Sequence, residues 1–199
     1  MKVFICVIGL ILGLGACSKQ EAQDPRKILT RARIDAPGTP LLLADIEAND
    51  TVATSAKVAR NKTVETWQTG DRVTLSLDQG LVTATRGLGE DLMSADNSGT
   101  KMMLAGQLGD EYYVKLHSYL DGEYQTAFRS FQCRRSGQRQ ETIVIFERRH
   151  STTRIEERCV TLDHEVTNVY WRGADGFLWK TQQWLSPSVK YLVTEQLFR

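Results

Sequence analysis

The chain has few histidines and none of the residue patterns by which hydrolases and metal enzymes are commonly recognised. Its three histidines, His117, His150 and His164, are scattered along the sequence. The patterns Gly-x-Ser-x-Gly, His-Glu-x-x-His and Asp-x-Asp are absent. The best acidic pair, Glu90-Asp91, would suit a glycosidase, but neighbouring residues of a strand point to opposite faces. The sequence therefore predicts no enzymatic activity, no metal ion and no cofactor.

The chain also lacks an excess of charge of either sign. One of its 25 basic residues, Lys2, lies in the N-terminal segment, so 24 basic residues face 24 acidic residues after residue 16. Nucleic-acid binding needs a basic surface, so we expect no nucleic-acid partner. Arginines are concentrated in residues 129–158, where they would either meet an acidic polysaccharide or lipid phosphate or pair with Glu147, Glu156 and Glu157 across strands. The cross-strand pairing is the favoured interpretation.

No apolar run is long enough to cross a membrane comfortably. The longest, residues 3–16, follows Lys2, and a membrane-spanning helix needs about 20 apolar residues. A positive charge, a short apolar core and small residues before a cleavage point are the parts of a secretory signal. The segment Leu14-Gly15-Ala16-Cys17 resembles a lipobox. We therefore expect removal of residues 1–16 and lipidation of Cys17. Ser18 favours the outer membrane.

Cysteine is scarce as well. Cys6 lies in the signal segment and Cys17 is the predicted lipidation site, which leaves Cys133 and Cys159. Two remaining cysteines in an oxidising periplasm are expected to form a disulfide, which would stabilise the domain by roughly 3 kcal/mol for a loop of this length. The alternatives are two buried thiols or half of a metal site, but no histidine lies at ligand spacing from either cysteine.

The expected disulfide restricts how the strands around it can be arranged. We predict strands at residues 126–134, 142–148 and 153–160, with a turn at Ser136-Gly137. In a flat meander the outer two strands would lie about 9.5 Å apart, whereas a disulfide needs Cα atoms within about 7 Å. Either the sheet is strongly coiled, the cysteines lie at strand ends, or the outer strands pair directly.

The rest of the chain divides into a tether and one β domain. Residues 17–40 are charged and contain three prolines, so we expect a lipid-anchored tether with a short helix near Arg26–Arg33. Residues 41–199 show short alternating segments separated by turn residues about every ten positions. This pattern predicts an all-β antiparallel fold, a sandwich or a barrel. Only Glu90–Gly109 is suited to a further short helix.

Two groups of residues are candidates for contact with a partner or a glycan. They are Arg86, Gly87 and Gly89 in one loop, and Trp171, Trp179 and Trp184 on two consecutive strands. The glycines would let the backbone approach a sugar, but a tight turn with positive φ is the favoured explanation. Trp179 and Trp184 are five residues apart and should point to opposite faces. One would be a core residue, and the other would be either core or an exposed platform.

Several blocks of sequence go beyond a general β pattern. The blocks are Val64-Glu65-Thr66-Trp67-Gln68-Thr69, Leu75-Ser76-Leu77, the segment from Ala84 to Asp96 that contains Arg86-Gly87-Leu88-Gly89, Glu157-Arg158-Cys159, Thr167-Asn168-Val169-Tyr170-Trp171 and the segment from Trp179 to Pro187. Together they resemble the YjbF-like family, also called group 4 capsule polysaccharide lipoproteins (GfcB-like). The resemblance runs from the lipobox to the C-terminus. Lys180-Thr181-Gln182 departs from the Ser-Arg expected there.

The resemblance implies a periplasm-facing outer-membrane lipoprotein of an exopolysaccharide or capsule operon, without known catalytic activity. Such operons also encode a large outer-membrane β-barrel protein. We therefore expect a non-enzymatic protein that assists polysaccharide assembly or secretion by binding that barrel partner. The alternative is a periplasmic carbohydrate-binding module that holds the polysaccharide directly.

Overall fold

The computed structural model describes residues 24–120 and 125–198. The predicted signal segment and Cys17 lie outside these described residues. Among the described residues no helix is long and apolar enough to span a membrane.

The described chain is almost entirely antiparallel β structure, as the sequence predicts. The strands are β1 Leu41–Ile46, β2 Thr51–Asn61, β3 Val64–Thr69, β4 Thr74–Asp78, β5 Leu81–Arg86, β6 Leu92–Asp96, β7 Tyr113–Leu120, β8 Thr126–Ile145, β9 Arg148–Val160, β10 Glu165–Arg172, β11 Leu178–Ser186 and β12 Lys190–Phe198. The helices are α1 Pro25–Ile28, α2 Arg31–Asp35 and α3 Ser98–Leu104, with a 3₁₀ turn at Glu47–Asn49. The helix α3 lies within the one segment of the β domain predicted to hold one.

The twelve strands form one nearly closed, barrel-shaped sheet in the order β5-β4-β3-β2-β1-β12-β11-β10-β9-β8-β7-β6. Strands that follow each other in the chain are neighbours in the sheet, except where β5 meets β6. The first and last strands pair directly, with Leu43 opposite Glu195. Of the two predicted architectures, the structure is therefore the barrel, and its remaining gap lies between β5 and β6.

Burial follows the period of two expected for strands around a closed core. In β4, Leu75 and Leu77 are buried while their neighbours are half exposed. The largest part of the inner core is formed by side chains from most of the strands, including Leu42, Trp67, Leu92, Phe131, Trp184 and Leu192. Burial of each such side chain stabilises the fold by about 1.5–3 kcal/mol.

A separate, smaller apolar cluster lies on the outer face of β1 and β12. It contains Ile34 of α2, Leu43, Ile145 of β8 and Leu197. The side chain of Arg31 donates to the carbonyl oxygen of Leu197 at 2.7 Å. Within the segment predicted to be a lipid-anchored tether, residues 17–40, the chain packs against the β domain from α1 onward, because Ile34, which is 1% exposed, needs an apolar surface to cover it.

The region around the disulfide differs from the predicted layout. The expected strands 126–134 and 142–148 are one continuous strand, β8, and the expected turn at Ser136-Gly137 is a β-bulge against β9. The actual turn is at Phe146-Glu147, where both residues have positive φ. Of the three arrangements left open by the sequence, direct pairing of the outer strands is the one found, since Cys133 lies opposite Cys159.

Candidate functional site

The disulfide predicted from the cysteine count is formed on the inner face of the barrel. Cys133 and Cys159 are directly opposed on β8 and β9, with Cα atoms 4.0 Å apart. Both are buried. Cys133, Cys159 and Glu157 are the one group of metal-ligating residue types clustered among the described residues, and the disulfide occupies both sulfur atoms.

Glu157, two residues before Cys159, is a fully buried carboxylate surrounded by hydrogen-bond donors. Its partners are Thr100 Oγ1 at 2.5 Å, Asn168 Nδ2 at 2.6 Å, Tyr170 OH at 2.9 Å, Lys115 Nζ at 3.2 Å and Tyr113 OH. Burial alone would raise the pKa of Glu157, but the ammonium group of Lys115 and the hydrogen bonds lower it to about 2. The carboxylate is therefore charged, and Lys115 is its counter-ion.

The strand alternation explains why these side chains meet. In β7 the odd-numbered residues from Tyr113 to Tyr119 point inward, and β9 brings Glu157 to the same interior between Ile155 and Cys159. Glu157 has no exposed surface, and Lys115 is 4% exposed. The arrangement joins β7, β9, β10 and α3 through one buried ion pair.

Glu157 corrects the sequence interpretation that its carboxylate pairs with surface arginines. That interpretation holds for Glu156, which lies 3.5 Å from Arg139 and also contacts Arg154. The alternation of Ile155, Glu157 and Cys159 already places Glu157 on the apolar face. The partner Lys115 is 42 residues away in the sequence, and no local pattern connects the two.

His117 is also buried inside the barrel and contacts aromatic rings. Its ring is 5.3 Å from that of Phe131 and stacks on Trp184 at 6.2 Å. Tyr119 OH donates to the carbonyl oxygen of Leu185, so His117 Nδ1, 2.9 Å away, must be the donor to Tyr119. Burial and the charge of Lys115 lower the pKa of His117 to about 3. His117 is therefore a neutral core residue.

The loop that contains Arg86, Gly87 and Gly89 closes the gap between β5 and β6, which we call the seam. Asp91 Oδ1 and Oδ2 accept from Thr85 Oγ1 at 3.0 Å, Leu88 N at 3.0 Å and Gly87 N at 2.8 Å. Leu92 N donates to Thr85 Oγ1 at 3.0 Å. Gly87 and Gly89 have φ of 94° and 98°. The two glycines therefore form a tight turn with positive φ, and this turn lets the loop close the seam.

Arg86 itself is exposed but is also part of the seam. Its Nη1 donates to the carbonyl oxygen of Leu92 at 3.2 Å and to that of Thr85. The second carboxylate of the predicted acidic pair, Glu90, accepts from Ser188 N at 3.1 Å and Ser188 Oγ at 2.7 Å. Asp91 therefore holds the loop between β5 and β6, and Glu90 holds the turn between β11 and β12. Both carboxylates are engaged in hydrogen bonds within the protein.

The three candidate tryptophans have different environments. Trp184 is in the inner core at 5% exposure, whereas Trp179 lies on the outer face, half-buried, with its ring 3.8 Å from that of His150. The two point to opposite faces, as their spacing predicts. Trp171 is 8% exposed; its Nε1 donates to Glu141 at 2.9 Å, and Arg154 and Lys180 lie over its ring. None of the three presents a fully exposed ring.

Two exposed surfaces were not anticipated from the sequence. The first, which we call the outer row, consists of Val114, Leu116, Leu120 and Phe128, with exposures of 56, 39, 44 and 68%. Ser118 lies opposite Phe128, so Phe128 is between Leu116 and Leu120 on the outer face. The alternation in Tyr113–Leu120 is visible in the sequence, but which face points outward is not.

The second surface, which we call the mouth groove, is a groove of about 430 Å³ at the end of the barrel formed by the β2–β3, β4–β5 and β10–β11 turns. Its polar and aromatic lining includes Arg60, Glu65, Gln79, Asp175, Phe177 and Gln196. Gln183 Nε2 donates to the carbonyl oxygen of Gly80 at 3.0 Å and so fixes the β4–β5 turn beside it. The groove therefore has walls held by the barrel itself.

The blocks that carry the family resemblance coincide with these internal contacts. Asn168 donates to Glu157, and its Oδ1 accepts from Trp184 N at 2.8 Å. Tyr170 also donates to Glu157. Gln183 Oε1 accepts from Val82 N at 3.0 Å. The residues of these sequence blocks therefore make contacts that hold the barrel together.

Comparison with known proteins supports the family resemblance found in the sequence. The fold is similar to that of the hypothetical lipoprotein YmcC from Escherichia coli K12, with a TM-score of 0.70, 16% identity, and coverage of 86% of this chain and 89% of that chain. An exported protein with a YmcC-like fold from Bacteroides fragilis has 9% identity over 80% of this chain and 93% of its own, with a TM-score of 0.31 that supports no argument. No curated protein matches. The family model for group 4 capsule polysaccharide lipoprotein GfcB, YjbF, matches residues 17–197. The chain belongs to the YjbF family of group 4 capsule polysaccharide lipoproteins.

Proposed function

We propose that this protein is a non-catalytic lipoprotein, anchored in the outer membrane and facing the periplasm, that assists capsule or exopolysaccharide assembly or secretion. It does so by binding an outer-membrane β-barrel export protein. The observation that carries the proposal is the family match over residues 17–197, whose description names a capsule polysaccharide lipoprotein. The predicted lipidation of Cys17 supplies the anchor.

The outer row supports protein binding as the mode of action. Exposed apolar residues on soluble domains are usually isolated, and a contiguous group marks a contact surface. Leu116, Phe128 and Leu120 lie on neighbouring strands within the reach of diagonal cross-strand contacts, roughly 7–8 Å. A large exposed aromatic residue flanked by two leucines is the kind of group that forms the centre of a protein interface.

The environments of the acidic and histidine side chains support a non-catalytic role. Glu157 and His117 are buried inside the barrel, and neither lines the mouth groove. Asp91 and Glu90 are engaged in loop hydrogen bonds. A general acid or base must come within hydrogen-bond reach of a substrate, and none of these four groups is placed to do so in this conformation.

Photocrosslinking in the native bacterium tests the proposal. A photoreactive residue is placed at Leu116 or Phe128 of the full-length lipoprotein, and the matched control is the same residue at Val58, which is 55% exposed on β2, across the barrel from the outer row. We expect an outer-membrane β-barrel protein to be captured from the first two positions and not from the third.

Two results would count against the proposal. Equal capture from Val58 and from the outer row would show that the contact is unspecific. Capture of lipid alone from Leu116 and Phe128 would mean that the outer row faces the membrane. As a second readout, Phe128→Asp should reduce the secreted polysaccharide while the amount of anchored lipoprotein stays the same.

A further inference from the structure

We propose that the mouth groove binds a neutral saccharide segment of the exported polysaccharide. The inference rests on the proposed function for the source of the saccharide, and it adds a ligand site that is separate from the outer row. The argument depends on the walls of the groove, on one amide that faces the groove without a hydrogen-bond partner in the described protein, and on the balance of charges around it.

The groove has the size and rigidity of a small-ligand site. Its volume of about 430 Å³ lies within the range of roughly 300–1,000 Å³ that is typical of such sites. The β4–β5 turn is packed against β11, since a Cβ atom on Gly80 would lie 3.1 Å from Leu178 Cβ. With this turn held in place, a ligand meets a preformed surface and loses less free energy to ordering of the protein.

Gln196 is the residue that points most directly to a ligand. It lies on β12 opposite Leu42, a residue of the inner core, so its side chain faces into the barrel mouth. Gln196 is 8% exposed and lines the groove. Its amide makes no hydrogen bond with any other described side chain or backbone group. Among the described residues, the fully enclosed polar atoms without a partner belong to other side chains, so the Gln196 amide is open to solvent in the groove. A sugar hydroxyl, which both donates and accepts, can replace water at either end of this amide.

The charges around the groove favour a neutral sugar. Glu65 is paired with Lys57 at 3.0 Å, and Asp175 Oδ1 accepts from Phe177 N at 3.1 Å. The Nε of Arg60 donates to the carbonyl oxygen of Lys62 at 3.0 Å. Two carboxylates and one guanidinium leave no excess of positive charge for an anionic group, while all three are suited to hydrogen bonds with hydroxyls.

The aromatic ring of Phe177 completes the site. It lines the groove and is itself supported by Trp179, whose ring is 4.9 Å away in an edge-on arrangement. The C–H face of a pyranose is apolar and packs on such a ring, while its hydroxyls reach Gln79 and Gln196. Apolar linings with a few convergent polar groups are the general form of small-ligand sites.

The test uses the full-length lipoprotein in detergent micelles and a defined probe. The probe is the mixture of oligosaccharides released by partial acid hydrolysis of the bacterium's own surface polysaccharide, and binding is followed by saturation-transfer difference NMR. The variants are Gln196→Leu, which removes the amide at similar size, and Arg60→Ala on the exposed β2. The matched control is Gln138→Leu, an exposed glutamine outside the groove.

We expect the wild-type protein and Gln138→Leu to bind neutral oligosaccharides equally. Gln196→Leu and Arg60→Ala should bind about tenfold more weakly, the loss of one good hydrogen bond, with unchanged thermal unfolding. If Gln196→Leu unfolds, Arg60→Ala decides. Absence of binding by the wild type, or equal binding by all variants, would overturn the inference. The photocrosslinking result is independent of the probe, so capture of a barrel protein without saccharide binding would leave the proposed function standing.

Discussion

Glu157 shows how much a single residue contributes to this barrel. It places a negative charge where no water reaches it, and its five partners come from α3, β7 and β10. The ion pair with Lys115 need not add net stability over an apolar pair, but loss of one partner leaves the other charge buried and unpaired. The free energy of unfolding should therefore fall more when one charge is removed than when both are removed, and this difference is measurable.

We predict that Glu157→Gln lowers the free energy of unfolding by about 3–5 kcal/mol. The reason is that Lys115 would remain buried without a counter-ion. The control is Glu165→Gln, which removes one side of the exposed pair with Arg158, 2.5 Å apart, and should leave the free energy of unfolding nearly unchanged because solvent screens this pair. Both are measured by urea unfolding.

A double variant makes this prediction sharper. Combining Glu157→Gln with Lys115→Met removes both charges and should recover part of the stability lost by Glu157→Gln alone. If the double variant is no more stable than Glu157→Gln, then the unpaired lysine is not the cause of the loss, and the hydrogen bonds of Glu157 are what matter.

His117 gives the protein a defined dependence on pH. Its pKa is about 3 in the folded protein and 6.5 in an unfolded chain. As the pH falls below 6.5, the unfolded chain binds a proton that the folded protein does not, so stability decreases until the pH reaches about 3. The effect is at most about 1.4 kcal/mol per pH unit. Glu157, with its pKa lowered from 4.5 to about 2, adds a loss in the same direction at lower pH.

The range between pH 5 and 6.5 isolates the histidine from the carboxylates. We predict that His117→Gln flattens the dependence of the urea midpoint on pH within this range. His150→Gln is the matched control, because His150 is half-buried and its pKa is lowered less. A slope that is the same in the wild type and in His117→Gln would show that His117 becomes protonated in the folded protein.

At the scale of elements, the seam replaces one strand pairing with side-chain hydrogen bonds. Asp91 accepts three of them, and Thr85 links β5 to the first residue of β6. Everywhere else around the sheet, neighbouring strands are joined by backbone pairing. The seam is therefore the place where the barrel is expected to open first.

We predict that Asp91→Ala lowers the free energy of unfolding by about 1–3 kcal/mol, because two backbone N–H groups lose their acceptor. Hydrogen exchange should accelerate at Gly87, Leu88 and Leu92, while amides of β9 and β10 remain protected. Asp71→Ala, in the turn between β3 and β4, is the control for loss of a loop carboxylate. Acceleration throughout the barrel would mean instead that the seam has no separate opening.

At the scale of the whole molecule, regular features of the sequence predicted the architecture. The alternation of apolar and polar residues and the spacing of turn residues predicted the antiparallel fold, and the cysteine count predicted the disulfide. The continuous strand β8 was not predicted, because the local sequence Ser136-Gly137 is typical of a turn. In the structure, the pairing of β8 with β9 continues past these residues, which form a β-bulge. Glu157 and Lys115 meet only because the barrel closes, and the burial of Trp171 depends on Glu141, Arg154 and Lys180. Long-range packing of this kind leaves no local signal.

The packing of α1 and α2 also affects the position of the domain relative to its anchor. Arg26 binds Asp45 at 2.8 Å, and Arg148 binds Asp35 at 2.9 Å. If Cys17 is lipidated as predicted, only the residues before α1 separate the lipid from the packed domain. Residues 17–24 span at most about 28 Å when fully extended, so the domain works close to the membrane surface.

The pairing of the first strand with the last determines when this protein can become folded. The chain is synthesised from its N-terminus, and β1 has no β12 to pair with until about 150 residues later, when Leu43 can lie opposite Glu195. Until then, the outer faces of β1 and α2 have no cover, and the incomplete sheet has open edges that can pair with other chains. Folding through such distant contacts is slow. The newly synthesised protein is therefore prone to wrong pairing with other chains until its final strand has formed.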